Sequence, residues 1–114
     1  MDRVQKAKEL FKSGYNCSQS VVGAFADVFG FDCDMAMKMA EGMGGGMGRM
    51  RLTCGAVSGM AMLAGMKYSF AKAGDIKTRT KIYEKVREMS NDFKDKHGSI
   101  ICSELLGASM PADN

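Results

Sequence analysis

Five glycines fall between residues 42 and 48, and this run constrains the fold more than any other part of the sequence. Glycine loses more backbone entropy on folding than any other residue, so a run of this density does not stay helical. Thr53, a residue type that favours helix N-caps, follows the run, and an apolar segment begins at Cys54. The sequence therefore predicts an irregular loop that delivers Cys54 to the first position of a central apolar helix.

The composition outside this loop is typical of an all-helical soluble domain. The chain is 46% hydrophobic and 25% charged, its single proline is Pro111, and it shows little of the alternation that marks strands. We expect one domain spanning residues 1–107, a bundle of five to six helices, followed by a frayed tail at 108–114. The predicted helices are Asp2–Lys12, Cys17 to about Phe29 after an Asn16 cap, Cys33 to about Ala40 after an Asp32 cap, Cys54 to about Tyr68, Ile76–Lys96, and a short helix to about Leu106 after a Ser99 cap.

Apolar spacing also predicts which side chains are buried. The buried face of the second helix is expected to consist of Cys17, Val21, Ala24, Phe25 and Val28. The chain has twelve methionines, and Met35, Met39, Met60 and Met89 follow helical core spacing, so we interpret them as flexible core filler.

Charge and hydropathy argue against two classes of partner. The formal net charge is only +3, and basic residues alternate with acidic ones along the helices, which does not favour a nucleic-acid surface. The apolar segment from Cys54 to Met66 spans 13 residues, whereas a membrane span needs about 20. The first residues are charged and lack the apolar core of a signal peptide. We therefore expect a cytoplasmic protein whose thiols are mostly reduced.

Each of the four cysteines falls in the first turn of a predicted helix, where the helix dipole favours the thiolate form. Short connections make consecutive helices alternate in direction, so the second, fourth and sixth helices are expected to start at one end of the bundle. Cys17, Cys54 and Cys102 then converge, and Cys33 lies at the opposite end. The alternative is that each cysteine simply packs as a small hydrophobe, and no Cys-x-x-Cys pair is present to decide between the two.

Four segments together carry a family resemblance: Gly14-Tyr-Asn-Cys17, Gly44-Gly-Gly-Met-Gly-Arg-Met50, Cys54-Gly-Ala-Val-Ser-Gly59 and Gly98-Ser-Ile-Ile-Cys-Ser-Glu-Leu-Leu-Gly107. With them the chain resembles the C-GCAxxG-C-C family of redox-active proteins. The resemblance implies a thiol-based redox or iron–sulfur role, and Cys17, Cys54 and Cys102 match family cysteines. Members of that family usually carry a further cysteine in a longer tail, and no cysteine follows Cys102 in this sequence.

The glycine loop is a candidate anion or cofactor site. Its backbone N–H groups at Gly45, Gly46 and Gly48, together with Arg49, are suited to binding a phosphate, carboxylate or sulfur oxyanion beside Cys54. The Gly-Lys-Ser/Thr element of a nucleotide P-loop is missing. The alternative is that the glycines only let the loop cross closely over helix ends. His97, the one histidine, is interpreted as complementing a helix C-terminus, although it precedes Cys102 by only five residues.

These observations leave three functions open. In the favoured one, Cys17, Cys54 and Cys102 act as a thiolate cluster that holds an iron–sulfur cluster or another thiophilic metal, or exchanges electrons with a redox partner through a reversible disulfide. In the second, the protein is a metal-free thiol enzyme with Cys54 as nucleophile. In the third, it is a non-catalytic helical interaction module. A homo-oligomer is compatible with all three, and the sequence does not decide whether the protein is an enzyme.

Overall fold

The computed structural model describes residues 2–107, and its secondary structure is helical. Within this range there is no strand, and the one β-type contact is an isolated antiparallel bridge between Thr53 and Ile101. The all-helical fold class is therefore confirmed, while the tail predicted at 108–114 lies outside the described residues. The helices are α1 (Arg3–Lys12), α2 (Cys17–Phe25), α3 (Cys33–Ala40), α4 (Gly55–Tyr68), α5 (Ile76–His97) and α6 (Cys102–Leu106), with 3₁₀ segments at Ala26–Phe29 and Glu41–Met43.

Side-chain caps fix the starts of α2 and α3 where the sequence predicts them. The Asn16 carboxamide oxygen accepts a hydrogen bond from the Gln19 backbone N–H at 2.9 Å, and the Gln19 side chain accepts one from the Asn16 N–H, which completes a capping box. The Asp32 carboxylate accepts from the Met35 N–H at 2.9 Å. These caps satisfy N–H groups that have no partner inside the helix.

The predicted starts of α4 and α6 are wrong by one to two residues. Thr53 is not the cap of α4, because its backbone is held in the bridge with Ile101, and Cys54 becomes the N-cap instead. Ser99 is not the cap of α6, which has Ile101 in that position. The Ser99 hydroxyl accepts from the Ile101 N–H at 3.0 Å and donates to the Glu104 carboxylate at 2.6 Å. Because the backbone at Thr53 is paired with that at Ile101, both helices begin later in the sequence than predicted.

The central helix is α2, which packs against α1, α3 and α4; the prediction that α4 is central is wrong. The predicted buried face of α2 is also wrong, since Val28 is 54% exposed and, of the five predicted residues, only Ala24 is fully buried. Because α1, α3 and α4 all pack against α2, they bury a wider part of its surface than a single apolar stripe. The buried residues of α2 are Ser18, Gln19, Ser20, Val22, Gly23 and Ala24.

Polar side chains at the start of α2 complete the hydrogen bonding of the end of α3. The Ser18 hydroxyl donates to the Ala40 carbonyl at 2.6 Å, and the Gln19 amide donates to the Met37 carbonyl at 3.3 Å. The Asn16 amide donates to the Glu41 carbonyl at 2.9 Å. The last carbonyls of a helix lack partners within it, so these contacts explain why polar residues are buried at this junction.

Helices α2 and α4 run parallel and approach each other closely at two glycines. A Cβ atom added at Gly55 would lie 3.2 Å from the Ser18 backbone nitrogen, and one at Gly59 would lie 3.2 Å from both the Ser18 carbonyl oxygen and the Val21 Cβ. The contacts advance in the same direction along both helices, which establishes their parallel orientation. The first turns of α2 and α4 therefore lie side by side.

Met35 and Met39 of α3 do not fill the core as expected. Met35 is 57% exposed and Met39 is 65% exposed, whereas Ala36 and Ala40 of the same helix are buried against α2. Small residues let α3 approach α2, and this places the neighbouring methionines outside the contact. Met60 and Met89 are half-buried. Of the helices in the described range, none combines the length and the apolarity needed to cross a lipid bilayer.

Substituting Gly59→Ala is expected to lower the free energy of unfolding by about 1–3 kcal/mol, because the added methyl group meets the Ser18 backbone. The matched control is Gly65→Ala in the same helix, where an added Cβ meets nothing within 4 Å. That change is expected to stabilise by about 0.5–1 kcal/mol through helix propensity. Urea unfolding followed by circular dichroism measures both; equal effects of the two substitutions would contradict the close approach of α2 and α4.

Candidate functional site

Three cysteines lie at the starts of three helices that meet at one end of the bundle. Cys17 is the first residue of α2, Cys54 is the N-cap of α4 and Cys102 is the first residue of α6. Main-chain hydrogen bonds join the last two starts: the Cys54 N–H donates to the Ile100 carbonyl at 2.7 Å, and the Cys102 N–H donates to the Leu52 carbonyl at 2.6 Å. The parallel packing of α2 and α4 adds Cys17 to the same end.

The glycine loop packs against the end of the bundle that carries the three cysteines. Gly46 has a φ of +75°, and a Cβ added there would lie 2.6 Å from the Cys102 Cβ and 2.7 Å from the Arg51 Cα. Only glycine fits such a position, because it adopts positive φ without strain and leaves room for the neighbouring chain. The loop closes through hydrogen bonds from the Leu52 N–H to the Gly46 carbonyl and from the Arg51 N–H to the Gly45 carbonyl. Gly46 therefore lets the loop pack directly against Cys102.

The loop backbone is left-handed over five consecutive residues, two of which are not glycine. Met47 has a φ of +69° and Arg49 a φ of +61°. A left-handed conformation costs a residue with a side chain roughly 1–2 kcal/mol, so the loop depends on the glycines between them. The residues with positive φ in this run are Gly45, Gly46, Met47, Gly48 and Arg49.

All four cysteines are free thiols, and they differ in their surroundings. Cys102 is 8% exposed, and the Arg51 guanidinium donates to its sulfur at 3.8 Å. Cys17 and Cys54 are half-buried. Cys33 packs instead against the core cluster that contains Ala26, near the far end of α2. The structure thus brings Cys17, Cys54 and Cys102 together and leaves Cys33 apart.

A comparison with protein families bears directly on these cysteines. A family model matches residues 15–114, and its description reads putative redox-active protein, C_GCAxxG_C_C. The chain belongs to this family. No curated protein and no solved structure gives a significant match. The family match includes all three clustered cysteines and the glycine loop of this C_GCAxxG_C_C protein.

Burial raises the pKa of the Cys17 thiol, and the negative charges of Cys54 and then Cys102 raise that pKa further. A hydrogen bond to its own backbone acts in the opposite direction without cancelling these effects. For Cys17 the loss of water around the sulfur therefore outweighs any lowering of the pKa by its position at the helix start. Cys54 contributes the larger of the two charge effects, so it is the stronger electrostatic neighbour of Cys17.

The residues predicted to bind an anion or cofactor separate into two groups. Gly45, Gly48 and Arg49 line a cleft of about 300 Å³ that also includes Asn16 and the carboxylate-bearing Glu41. Gly46 does not line that cleft, since it is buried against Cys102. The negative charge of Glu41 disfavours an anion in the cleft, so the anion site stays a prediction. For Gly46 the structure shows a packing role, which is the alternative considered for the glycines of the loop.

The metal prediction for Cys17, Cys54 and Cys102 also stays a prediction. Within residues 2–107, no group of three or more cysteine, histidine, aspartate or glutamate side chains has an arrangement that would hold a metal ion. The three thiols of this C_GCAxxG_C_C protein are therefore neighbours without forming a ready-made chelate. The His97 ring packs on Phe93, with ring centroids 4.5 Å apart, at the C-terminal end of α5.

Sequence reasoning missed the part that Asn16 plays in building this end of the bundle. Its side chain caps α2, contacts Gly44 and donates to Glu41, so it joins the helix that carries Cys17 to the loop that supports Cys102. The Asn16-x-x-Gln19 pattern indicates a capping box in the sequence. The contact with Glu41 spans 25 residues, and no local pattern signals it.

Alkylation of Cys17 by iodoacetamide is expected to require a higher pH than alkylation of an ordinary thiol, because its pKa is raised. The substitution Cys54→Ser should move the midpoint of the pH profile to lower pH, since it removes the larger of the two neighbouring charges. Cys33→Ser is the matched control and should leave the midpoint unchanged. Mass spectrometry of the peptide that contains Cys17 measures the profile. A midpoint that does not respond to Cys54→Ser would contradict the arrangement described.

The substitution Gly46→Ala is expected to destabilise the fold and to speed the reaction of Cys102 with a disulfide reagent, because the added methyl group displaces the chain next to Cys102. Gly48→Ala is the matched control. Its φ of +60° is similar, but nothing lies within 4 Å of an added Cβ, so only backbone strain of roughly 1–2 kcal/mol is expected. Urea unfolding and thiol reactivity are the measurements. Equal stability and equal Cys102 reactivity in the two variants would rule out the supporting role of Gly46.

Proposed function

We propose that this protein transfers electrons by thiol–disulfide exchange, with Cys54 as the attacking thiol and Cys17 as the second cysteine of a reversible disulfide. One observation carries the proposal: the first residues of α2 and α6 and the N-cap of α4 meet at one end of the bundle, close enough that the charges of Cys54 and Cys102 act on Cys17. A cysteine that only fills a helix interface needs no such grouping. Membership of a redox-active family supports the same chemistry.

Cys54 is suited to the first step of the exchange. It is half-buried, so an acceptor reaches it more readily than it reaches Cys102, which is 8% exposed. As the N-cap of α4 it stands at the start of that helix, next to the first turn of α2 that carries Cys17. The thiolate is the nucleophile in disulfide exchange.

The exchange is written for an acceptor that carries a disulfide, such as a partner protein. The Cys54 thiolate attacks one acceptor sulfur, the acceptor S–S bond breaks, and a mixed disulfide forms. The Cys17 thiolate then attacks the Cys54 sulfur, the mixed disulfide breaks, and a Cys17–Cys54 disulfide forms. The acceptor gains two electrons and the two protons that the thiols lose. We place the protein in the cytoplasm, where the low-molecular-weight thiol pool would reduce the disulfide again.

The raised pKa of Cys17 matches the role of the second thiol. A protonated Cys17 does not compete with Cys54 for the acceptor, and loss of charge on Cys54 in the mixed disulfide removes the largest neighbouring charge that keeps the Cys17 pKa high. Formation of the mixed disulfide therefore favours ionisation of Cys17 at the moment when its thiolate is needed. Cys102, held by its hydrogen bond from Arg51, is the third thiol of the site and remains reduced in this scheme.

The proposal is tested by equilibrating the full chain with mixtures of reduced and oxidised glutathione and mapping disulfides by mass spectrometry. A Cys17–Cys54 disulfide is expected that forms and disappears reversibly with the redox ratio. Cys17→Ser and Cys54→Ser should abolish it, while the matched control Cys33→Ser should leave its midpoint potential unchanged. An intramolecular disulfide that survives in Cys54→Ser, or none at any ratio, would overturn the proposal.

Metal analysis separates this proposal from the alternative based on an iron–sulfur cluster or another thiophilic metal. Iron, zinc, copper and acid-labile sulfide are measured in anaerobically purified wild-type protein and in Cys54→Ser. We expect no metal in stoichiometric amount. Iron with sulfide at stoichiometric levels, lost in Cys54→Ser, would replace the disulfide scheme by a cluster site.

A further inference from the structure

A cavity of about 330 Å³ lies between α2, α4 and α5, and neither the cysteines nor the glycine loop take part in it. It originates in the composition of α4, whose 14 residues include a single charged one, Lys67. A helix that is apolar on every side needs cover all round. In the structure only Gly55, Val57, Gly59 and Ala64 of this helix are buried. Met60 and Leu63 of this helix are half-buried and line the cavity.

The wall of the cavity is apolar over three helices. One side comes from α2 and the 3₁₀ segment that follows it, the floor from α4 and the far side from α5. The apolar lining residues are Val21, Phe25, Phe29, Met60, Leu63, Ala64 and Met89. Aromatic and methionine side chains adapt to varied apolar ligands, and the volume falls at the lower end of the range for ligand pockets, about 300–1,000 Å³.

Cationic side chains contribute to the lining of the cavity. Lys67 and Lys85 line it together with Tyr68. The Lys67 Nζ lies 5.1 Å and the Lys81 Nζ 4.8 Å from the centre of the Tyr68 ring, so both ammonium groups are within cation–π distance of that ring. Glu88 lies 3.8 Å from the Lys85 Nζ and is 65% exposed. With Glu88 paired to Lys85, the excess positive charge beside the cavity comes from Lys67, which lines it, and from Lys81, which lies next to Tyr68.

We propose that this cavity binds a single-chain amphiphile with an anionic head group, of the class of medium-chain carboxylates. The apolar wall takes the hydrocarbon chain, and the lysines at the opening attract the head group. A purely apolar ligand would make no use of the ammonium groups of Lys67 and Lys85, which line the cavity. This site is independent of the proposed thiol chemistry, and either one stands if the other fails.

The full chain, labelled with ¹³C in its methionine methyl groups, is titrated with decanoate below the concentration at which decanoate forms micelles. Binding is followed by the NMR shifts of the methyl groups. Saturable shifts are expected for Met60 and Met89, which line the cavity, and none for Met35 and Met39, which line a separate groove. Decyltrimethylammonium has the same chain and the opposite charge, and it should bind at least tenfold more weakly. Equal affinity for the two probes, or equal shifts in both methionine pairs, would overturn the proposal.

Variants test the two halves of the cavity separately. Lys67→Gln and Lys85→Gln should each weaken decanoate binding severalfold, whereas Lys38→Gln, an equal charge change at an exposed position of α3, should not. Ala64→Phe fills the cavity and should abolish binding; Met89→Trp fills it from α5 if the first variant does not fold. Wild-type binding to phosphatidylglycerol vesicles without saturable decanoate shifts would assign the lysines to a lipid surface and reject the cavity.

Discussion

The contact between the first turns of α2 and α4 is the constraint on which the rest of the structure depends. Gly55 has no side chain, so the Ser18 backbone and the Cys17 side chain reach the α4 backbone, and Gly59 repeats the contact one turn later. Two parallel helices that touch at their starts bring their N-terminal groups to one place. The proximity of Cys17 and Cys54 follows from this packing and needs no disulfide or metal to hold it.

A second set of contacts ties the glycine loop to this pair. Asn16 caps α2 and reaches Glu41, Ser18 completes the end of α3, and the loop then folds back so that Gly46 lies against Cys102. The left-handed backbone of the loop has a conformational cost at Met47 and Arg49, which the surrounding hydrogen bonds offset. The same contacts that stabilise the fold thus position the third thiol.

The proposed chemistry uses differences among the three thiols. Cys54 is half-buried at the N-cap of α4, Cys17 has a pKa raised by burial and neighbouring charge, and Cys102 is buried beside Arg51. Three identical environments would give three competing nucleophiles. In the proposed scheme Cys102 stays reduced, in keeping with its deeper burial than that of Cys17 and Cys54.

Local sequence predicts the elements that depend on local interactions. The capping pattern at Asn16 and Asp32 locates the starts of α2 and α3, and the density of glycine predicts the loop, because capping and backbone entropy act over a few residues. The predicted start of α4 is wrong by one residue, because Ile101, which pairs with Thr53 in the β-bridge, is distant in sequence. The alternation of helix direction predicts that the three cysteines lie at one end of the bundle. It does not predict how deeply each cysteine is buried.

The sequence by itself determined an all-helical chain, a loop that glycine keeps non-helical, and a cysteine at the start of each of four helices, since propensity and capping are short-range effects. Tertiary structure decided that α2 is central, that Met35 and Met39 face outward, and that the Cys17 pKa rises. It also decided that α4 is left partly uncovered in a cavity lined by Lys67 and Lys85. Those outcomes depend on which helices become neighbours, and burial and charge at a residue are set by its neighbours in space.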